Sequence, residues 1–173
     1  MEPHSLYLHI PFCRHRCAYC DFNTYAGLND LIPAYTRALC REIELAAEAA
    51  GTALPVHTIF FGGGTPSLLP PADLAAILET IHTHFALLPE AEITLEANPG
   101  TVSLPYLQEL RALGINRLSL GMQSASPEDL RVLEREHDTV DVARAVALAR
   151  RAGFANLTLA LIFGLPGQTL MGV

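Results

Sequence analysis

Three cysteines fall within eight residues, as Cys13-x₃-Cys17-x₂-Cys20. Thiolates are soft ligands suited to iron–sulfur centres. Three of them on one short loop can take three corners of a cubane cluster. Such a site leaves one iron coordinatively open, so that a small molecule can bind the metal directly. Arg14 and Arg16, and His15 when protonated, lie between the cysteines and would offset the anionic charge of thiolates and cluster. The same spacing also admits zinc, with His9 or His15 as the fourth ligand. Arg, His and Asp crowd the loop, which argues against a chance gathering of core cysteines. Cys40 is a different case: it lies on the apolar face of a helical segment and reads as a buried structural thiol.

The elements that must position this loop alternate between strand-like and helix-like signals. Strands are expected at Ser5–Ile10, Val56–Phe61, Ala91–Ala97, Asn116–Leu120 and Leu157–Phe163. Helices are expected at Leu31–Ala50, Pro71–Phe85, Leu104–Leu113, from Ser126-Pro127-Glu128-Asp129 onward, and at Val140–Ala152. Gly51, Gly114 and Gly153 stop three of them. Five strands joined by helical crossovers describe an α/β unit with a parallel sheet. Periodicity alone leaves an open doubly wound sheet and a segment of a barrel equally available. In either, function sits at the carboxyl ends of the strands. The cysteines follow the first strand, Gly62-Gly63-Gly64 the second, Glu96-Ala97-Asn98-Pro99 ends the third, and Gln123 lies just beyond the fourth. Four strand ends thus converge on one rim.

Composition removes several function classes. The chain of 173 residues is half hydrophobic and 17% charged, with a formal net charge of −7. It is long enough for one domain with a real core and too apolar for a disordered chain. No basic stripe exists to neutralise phosphates, so nucleic acid is not expected as a partner. All eleven basic residues are arginine. The absence of lysine excludes a Walker phosphate lysine and a Schiff-base lysine. Met1-Glu2-Pro3-His4 does not open a signal peptide, and no apolar run approaches a membrane span. A metal site in a reducing compartment fits the four cysteines better than a disulfide scaffold, so the expected address is the cytoplasm. The chain stops at Leu170-Met171-Gly172-Val173, directly after a strand, which reads as a βα unit cut short.

The stretch from Tyr7 to Phe22, Tyr-Leu-His-Ile-Pro-Phe-Cys-Arg-His-Arg-Cys-Ala-Tyr-Cys-Asp-Phe, resembles the opening of the radical S-adenosylmethionine superfamily. Within it, the similarity is to the branch containing the heme chaperone HemW and the oxygen-independent coproporphyrinogen III oxidases. The resemblance extends over essentially all of residues 1–173, to Gly164-Leu165-Pro166-Gly167-Gln168-Thr169. It implies a single core domain, incomplete at its C-terminus, folded as a partial (β/α) barrel whose last strand is missing. It also implies that Cys13, Cys17 and Cys20 hold a 4Fe–4S cluster whose open iron chelates S-adenosylmethionine. One electron from the cluster then cleaves the sulfonium to methionine and a 5′-deoxyadenosyl radical, which abstracts hydrogen from a substrate.

The remaining motifs acquire roles from the same resemblance. Gly63, Gly64 and Thr65 resemble the strand that meets the methionine end of the cofactor, where glycine permits close backbone approach. Glu96, Gln123 and Arg135 match further cofactor contacts, and Tyr7 and Tyr19 match positions flanking the cluster and cofactor. An electron-donor protein and a heme or porphyrinogen ligand are the implied partners.

Three departures from the pattern matter. Ala160 stands where the family's fifth strand usually carries an aspartate that contacts the cofactor. Ala125 replaces a phenylalanine after the Gln-Ser pair. Phe22 stands where coproporphyrinogen oxidases of this type carry a fourth cysteine, which favours a heme chaperone over the radical decarboxylase. A zinc-binding structural domain is the alternative of a different class.

Overall fold

The structure is a computed structural model and describes residues 2–169. In chain order the strands are β1 (His4–Ile10), β2 (Phe12–Cys13), β3 (Tyr25–Ala26), β4 (Pro55–Gly63), β5 (Ala86–Ala97), β6 (Arg117–Gln123) and β7 (Asn156–Leu161). The helices are α1 (Ile32–Ala50), α2 (Pro71–His84), α3 (Leu104–Ala112), α4 (Pro127–Val132) and α5 (Thr139–Arg151). Five strands form one sheet in the order β1-β4-β5-β6-β7, and every neighbouring pair is parallel. The spatial order follows the chain order without reversal. A doubly wound sheet must reverse at a switch point, so the sheet is a segment of a barrel.

The two faces of this sheet differ in chemistry, as a pleat with period two requires. One face carries Leu8, Ile10, Ile59, Phe61, Ile93, Leu95, Leu118 and Leu120, all buried in one cluster with apolar residues of α1, α2, α3 and α5. The other face is polar. There Arg117 donates to Thr94 Oγ1 at 3.1 Å and to Thr158 Oγ1 at 2.9 Å, and pairs with Glu92 at 3.5 Å. One guanidinium thereby ties three adjacent strands together on the inner face. Cys40 sits half-buried on α1 against the apolar cluster, on the core side that its spacing predicts.

Local signals set most of the boundaries. Gly51 ends α1 at φ 68°, a left-handed conformation that glycine adopts without steric cost. Ser126 caps α4, its hydroxyl accepting from Asp129 N–H at 3.3 Å. Asp138 and Asp141 form a reciprocal capping box at the start of α5. β5 is longer than its apolar run predicts, because Pro55 and Val56 of β4 pair with Ala86 and Leu87. The pairing then shifts register before resuming at Glu92. Pro89 lies in that shift, where the missing N–H breaks no ladder bond. β7 ends at Leu161, so Phe163 lies beyond it and is 78% exposed. Residues 170–173, on which the expectation of a cut βα unit rests, lie outside the described residues.

Candidate functional site

The cysteine loop leaves the sheet at the end of β1. Phe12 and Cys13 pair with Tyr25 and Ala26, closing the loop at its base. Between those pairs the chain has no helix or strand. Cys13 is buried, Cys17 and Cys20 are half-buried, and Arg14, His15 and Arg16 are exposed. A Cys20 N–H to Cys17 carbonyl bond of 3.0 Å forms one tight turn within the loop. Arg16 donates to the Cys20 carbonyl at 3.2 Å.

Opposite the loop stand the ends of β4, β5 and β6. A cavity of about 130 Å³ lies between, lined by Cys13, Cys17, Cys20, Tyr19, Gly63, Gly64, Thr65, Glu96, Gln123 and Arg135. The fold therefore brings ten of the eleven residues expected at the site around one space. Tyr7 is the exception: it lies lower on the inner face, stacked on Phe60 at 6.1 Å, its hydroxyl 3.3 Å from His9 Nδ1. Ala160 also lines the cavity, so a carboxylate at this position would face the same space.

Each wall residue has a local reason for its placement. Gly64 admits no side chain: a Cβ there would lie 2.6 Å from the Phe12 carbonyl oxygen and 3.0 Å from Cys13 Sγ. Its N–H donates to the Ile10 carbonyl at 2.8 Å, and Thr65 N–H to that of Phe12 at 2.8 Å. The loop base and the glycine turn are thus stitched together backbone to backbone. Gly63, at φ 113°, needs both glycine's backbone freedom and its lack of Cβ, since the His9 ring would lie 2.6 Å from one. Its N–H donates to Glu96 Oε2 at 3.2 Å. Burial raises the Glu96 carboxyl above its ordinary pKa, and the Gly63 hydrogen bond offsets this in part.

Gln123 and Arg135 reach the cavity through strained backbone. Gln123 has φ 66°, uncommon for a residue with a side chain. It sits where the β6–β7 pairing shifts register after Leu120, and its carbonyl accepts from Ile162 N–H at 2.8 Å. The irregularity re-aims the side chain at the strand end. Arg135 follows Glu134, which has φ 53°. The Arg135 and Glu134 N–H groups bond the Leu130 and Arg131 carbonyls at 2.9 and 3.1 Å, a Schellman ending to α4. A glutamate at the left-handed position hides this motif from a sequence reading.

Arg135 Nη2 donates to Asn98 Oδ1 at 2.5 Å and to the Gly121 carbonyl at 3.1 Å, and Nη1 to Cys17 Sγ at 3.6 Å. Its Nε is buried without a partner among the described residues. Asn98 is the site residue that motif reasoning passed over. It appears in the sequence only as part of a strand ending, and its two hydrogen bonds require the fold.

The residues present fit a cluster and a zwitterionic cofactor. Three thiols face the space, a glycine cradle leaves room beside Cys13, and Arg135 Nε is a buried donor without an acceptor. Burial holds the Cys13 thiol above its ordinary pKa despite hydrogen bonds from Thr65 and Thr24, so a metal must displace its proton. Zinc fits less well. His9 Nε2 lies 2.8 Å from the Asn23 carbonyl and its Nδ1 faces Tyr7, while His15 pairs with Glu134 at 3.5 Å. Among the described residues no three His, Cys, Asp or Glu side chains converge where a single ion could sit. A tetrahedral zinc needs such convergence, whereas a cubane gives each thiolate its own iron.

Known proteins agree with this reading of the fold. The profile of the radical SAM superfamily matches residues 7–172. The heme chaperone HemW of Mycobacterium tuberculosis is 46% identical over 171 residues, covering 97% of this chain and 44% of that protein. The oxygen-independent coproporphyrinogen III oxidase of Bradyrhizobium diazoefficiens is 42% identical over 167 residues, covering 96% and 37%. The crystallised coproporphyrinogen III oxidase HemN of Escherichia coli superposes with a TM-score of 0.88 at 35% identity, covering 98% of this chain and 39% of that one. The chain thus spans less than half the length of these relatives. No described helix is long and apolar enough to cross a membrane. A barrel segment with its cysteine loop and glycine turn stitched at one rim, and a superfamily profile matched over nearly every residue, lead to one assignment: the chain belongs to the radical SAM superfamily.

Proposed function

We propose that residues 1–173 form a radical SAM core domain that holds a 4Fe–4S cluster through Cys13, Cys17 and Cys20 and binds S-adenosylmethionine in the cavity beside it. The observation that carries this reading is the single cavity bounded by all three cysteines on one side and by Glu96, Gln123 and Arg135 on the other. When bound, the cluster supplies the electron for reductive cleavage of the sulfonium. Arg135, with its unpaired Nε, would take the cofactor's carboxylate. Glu96, held by Gly63 N–H, would accept from the cofactor's donors, and Gln123 would offer its amide from the irregular end of β6. Tyr19 lines the cavity beside the cysteines, and Tyr7 lies outside it, close to Glu96.

The wider role we propose is that of a HemW-like heme chaperone in heme or porphyrin metabolism, with an electron-donor protein and heme as partners. Two observations support it: the 46% identity to a heme chaperone, and Phe22, 64% exposed at the cavity edge, where a fourth cysteine marks the decarboxylase. The second reading, coproporphyrinogen III oxidation, draws on the 42% identity to an enzyme of that name. Anaerobic reconstitution separates the two. The chaperone reading expects heme binding without conversion of coproporphyrinogen III to protoporphyrinogen IX, and robust decarboxylation by the purified chain would overturn it.

A further inference from the structure

Each of the three cysteine sulfurs has a polar side chain within hydrogen-bond reach, and these side chains come from three separate loop segments. Thr65 Oγ1 lies 3.8 Å from Cys13 Sγ, Arg135 Nη1 3.6 Å from Cys17 Sγ, and Thr24 Oγ1 3.6 Å from Cys20 Sγ. Both threonines are 4% exposed. A buried hydroxyl left without an acceptor is costly, so each threonine is served by the sulfur it faces.

Two of these contacts are coupled through Asn98. Its Oδ1 receives Arg135 Nη2 at 2.5 Å, and its Nδ2 lies 3.2 Å from Thr65 Oγ1. The direction of every proton in this chain follows from its first member. A guanidinium only donates, so the oxygen of Asn98 must face Arg135. The amide nitrogen then faces Thr65 and donates to its hydroxyl oxygen. Thr65 must turn its own hydrogen elsewhere, and the acceptor within reach is Cys13 Sγ. The Asn98 backbone is held extended, at φ −88° and ψ 139°, as a residue preceding proline should be.

We propose that Thr65, Arg135 and Thr24 form a donor set dedicated to the three cysteine sulfurs, with Asn98 as the positioning residue that fixes its order, and that this set raises the reduction potential of the cluster those sulfurs hold. The inference rests on the reading of Cys13, Cys17 and Cys20 as cluster ligands. Reduction places one further negative charge on the cluster and its sulfurs. Hydrogen bonds to those sulfurs stabilise the reduced form more than the oxidised form. Arg135 Nε takes no part in these contacts and is buried without a partner among the described residues.

The test is a reductive titration followed by EPR on the anaerobically reconstituted chain, comparing wild type with Thr65→Val, Thr65→Ser and Asn98→Leu. Iron and sulfide are counted first. A wild type that takes up no cluster removes the ligand reading, and the inference with it. In loaded protein, Thr65→Val is expected to lower the reduced-to-oxidised ratio at the wild-type midpoint about tenfold, or about 59 mV for one electron. Asn98→Leu, which touches no sulfur, is expected to shift the same way by about threefold. Thr65→Ser keeps the hydroxyl and should match wild type. Equal midpoints in loaded wild type and Thr65→Val overturn the proposal with the ligand reading intact, as does a Thr65→Ser shift as large as that of valine. Where Thr65→Val fails to load, Asn98→Leu decides in the same two directions. If neither loads, a wild-type midpoint in Thr65→Ser supports the donor set and loss of its cluster overturns it.

Discussion

The cysteine loop and the strand-end wall face each other across one cavity, yet the polypeptide fixes them to different degrees. Between Cys13 and Tyr25 the chain forms no helix or strand, and Arg14, His15 and Arg16 are open to solvent. Across the cavity, Phe61, Gly62, Thr65, Pro66 and Ala97 are buried, and added atoms at Gly64 would collide with backbone. The wall is a rigid template whose positions come from sheet packing. The loop is a tether whose backbone is anchored at its base, by the β2–β3 pair and the bonds to Gly64 and Thr65, and which is otherwise held by side-chain contacts such as Arg135 to Cys17 and His15 to Glu134. A metal cluster is the natural third partner, because ligand bonds to three thiolates would give the loop an order that its own contacts do not supply.

The largest effect expected from disturbing this division is on the loop side. Cys17→Ser should abolish the brown colour and cofactor cleavage, and unchanged iron and sulfide content would remove the ligand assignment. On the wall side, Gly64→Ala forces backbone apart next to Cys13. Overpacking of this kind costs about 1–3 kcal/mol, visible in thermal melts of the apoprotein, together with poorer cluster loading. A melt identical to wild type would mean that the template is softer than its packing implies.

A gain-of-function change sharpens the comparison further. Ala160→Asp restores a carboxylate on the rigid wall without touching the loop. It should tighten S-adenosylmethionine binding by roughly 1–3 kcal/mol, measured by calorimetry on reconstituted protein, with cluster content unchanged. No change in affinity would place the cofactor away from β7.

Glu96 supplies a pH signature for the wall alone. Its folded pKa lies above the ordinary 4.5 because burial disfavours the carboxylate. The folded state therefore holds the proton more tightly than the unfolded chain. The stability this one group contributes is fully present below its unfolded value and declines as pH rises through the folded one. Glu96→Gln should flatten that decline in denaturant titrations of the apoprotein, while weakening cofactor binding. Parallel pH profiles for the two proteins would show that Glu96 is not desolvated. The smallest effect belongs to Gly100→Ala at the rim: a Cβ there meets nothing within 4 Å, so stability should change by under about 1 kcal/mol.

Much of this division was legible in the sequence. The cysteine spacing, the glycine run after β4 and the acid ending β5 all lie at strand ends, and period-two alternation locates the strands that end there. The choice between an open sheet and a barrel segment was not legible from periodicity, since both use the same βα units and differ only in strand order. Two kinds of site feature also stayed hidden. Arg135 reaches the cavity because Glu134 adopts a left-handed conformation that sequence assigns to glycine. Thr24 and Asn98 carry no motif chemistry of their own, and only their distances to Cys20, Arg135 and Thr65 reveal them.

If Cys13, Cys17 and Cys20 hold a cluster as proposed, one iron would remain open for the cofactor in the cavity that the strand-end wall completes. The EPR spectrum of the reduced, reconstituted chain, recorded with and without S-adenosylmethionine, tests it most directly. A cofactor bound at the open iron should change the g-values of the cluster signal. A fully loaded cluster whose spectrum is indifferent to saturating S-adenosylmethionine would contradict the account.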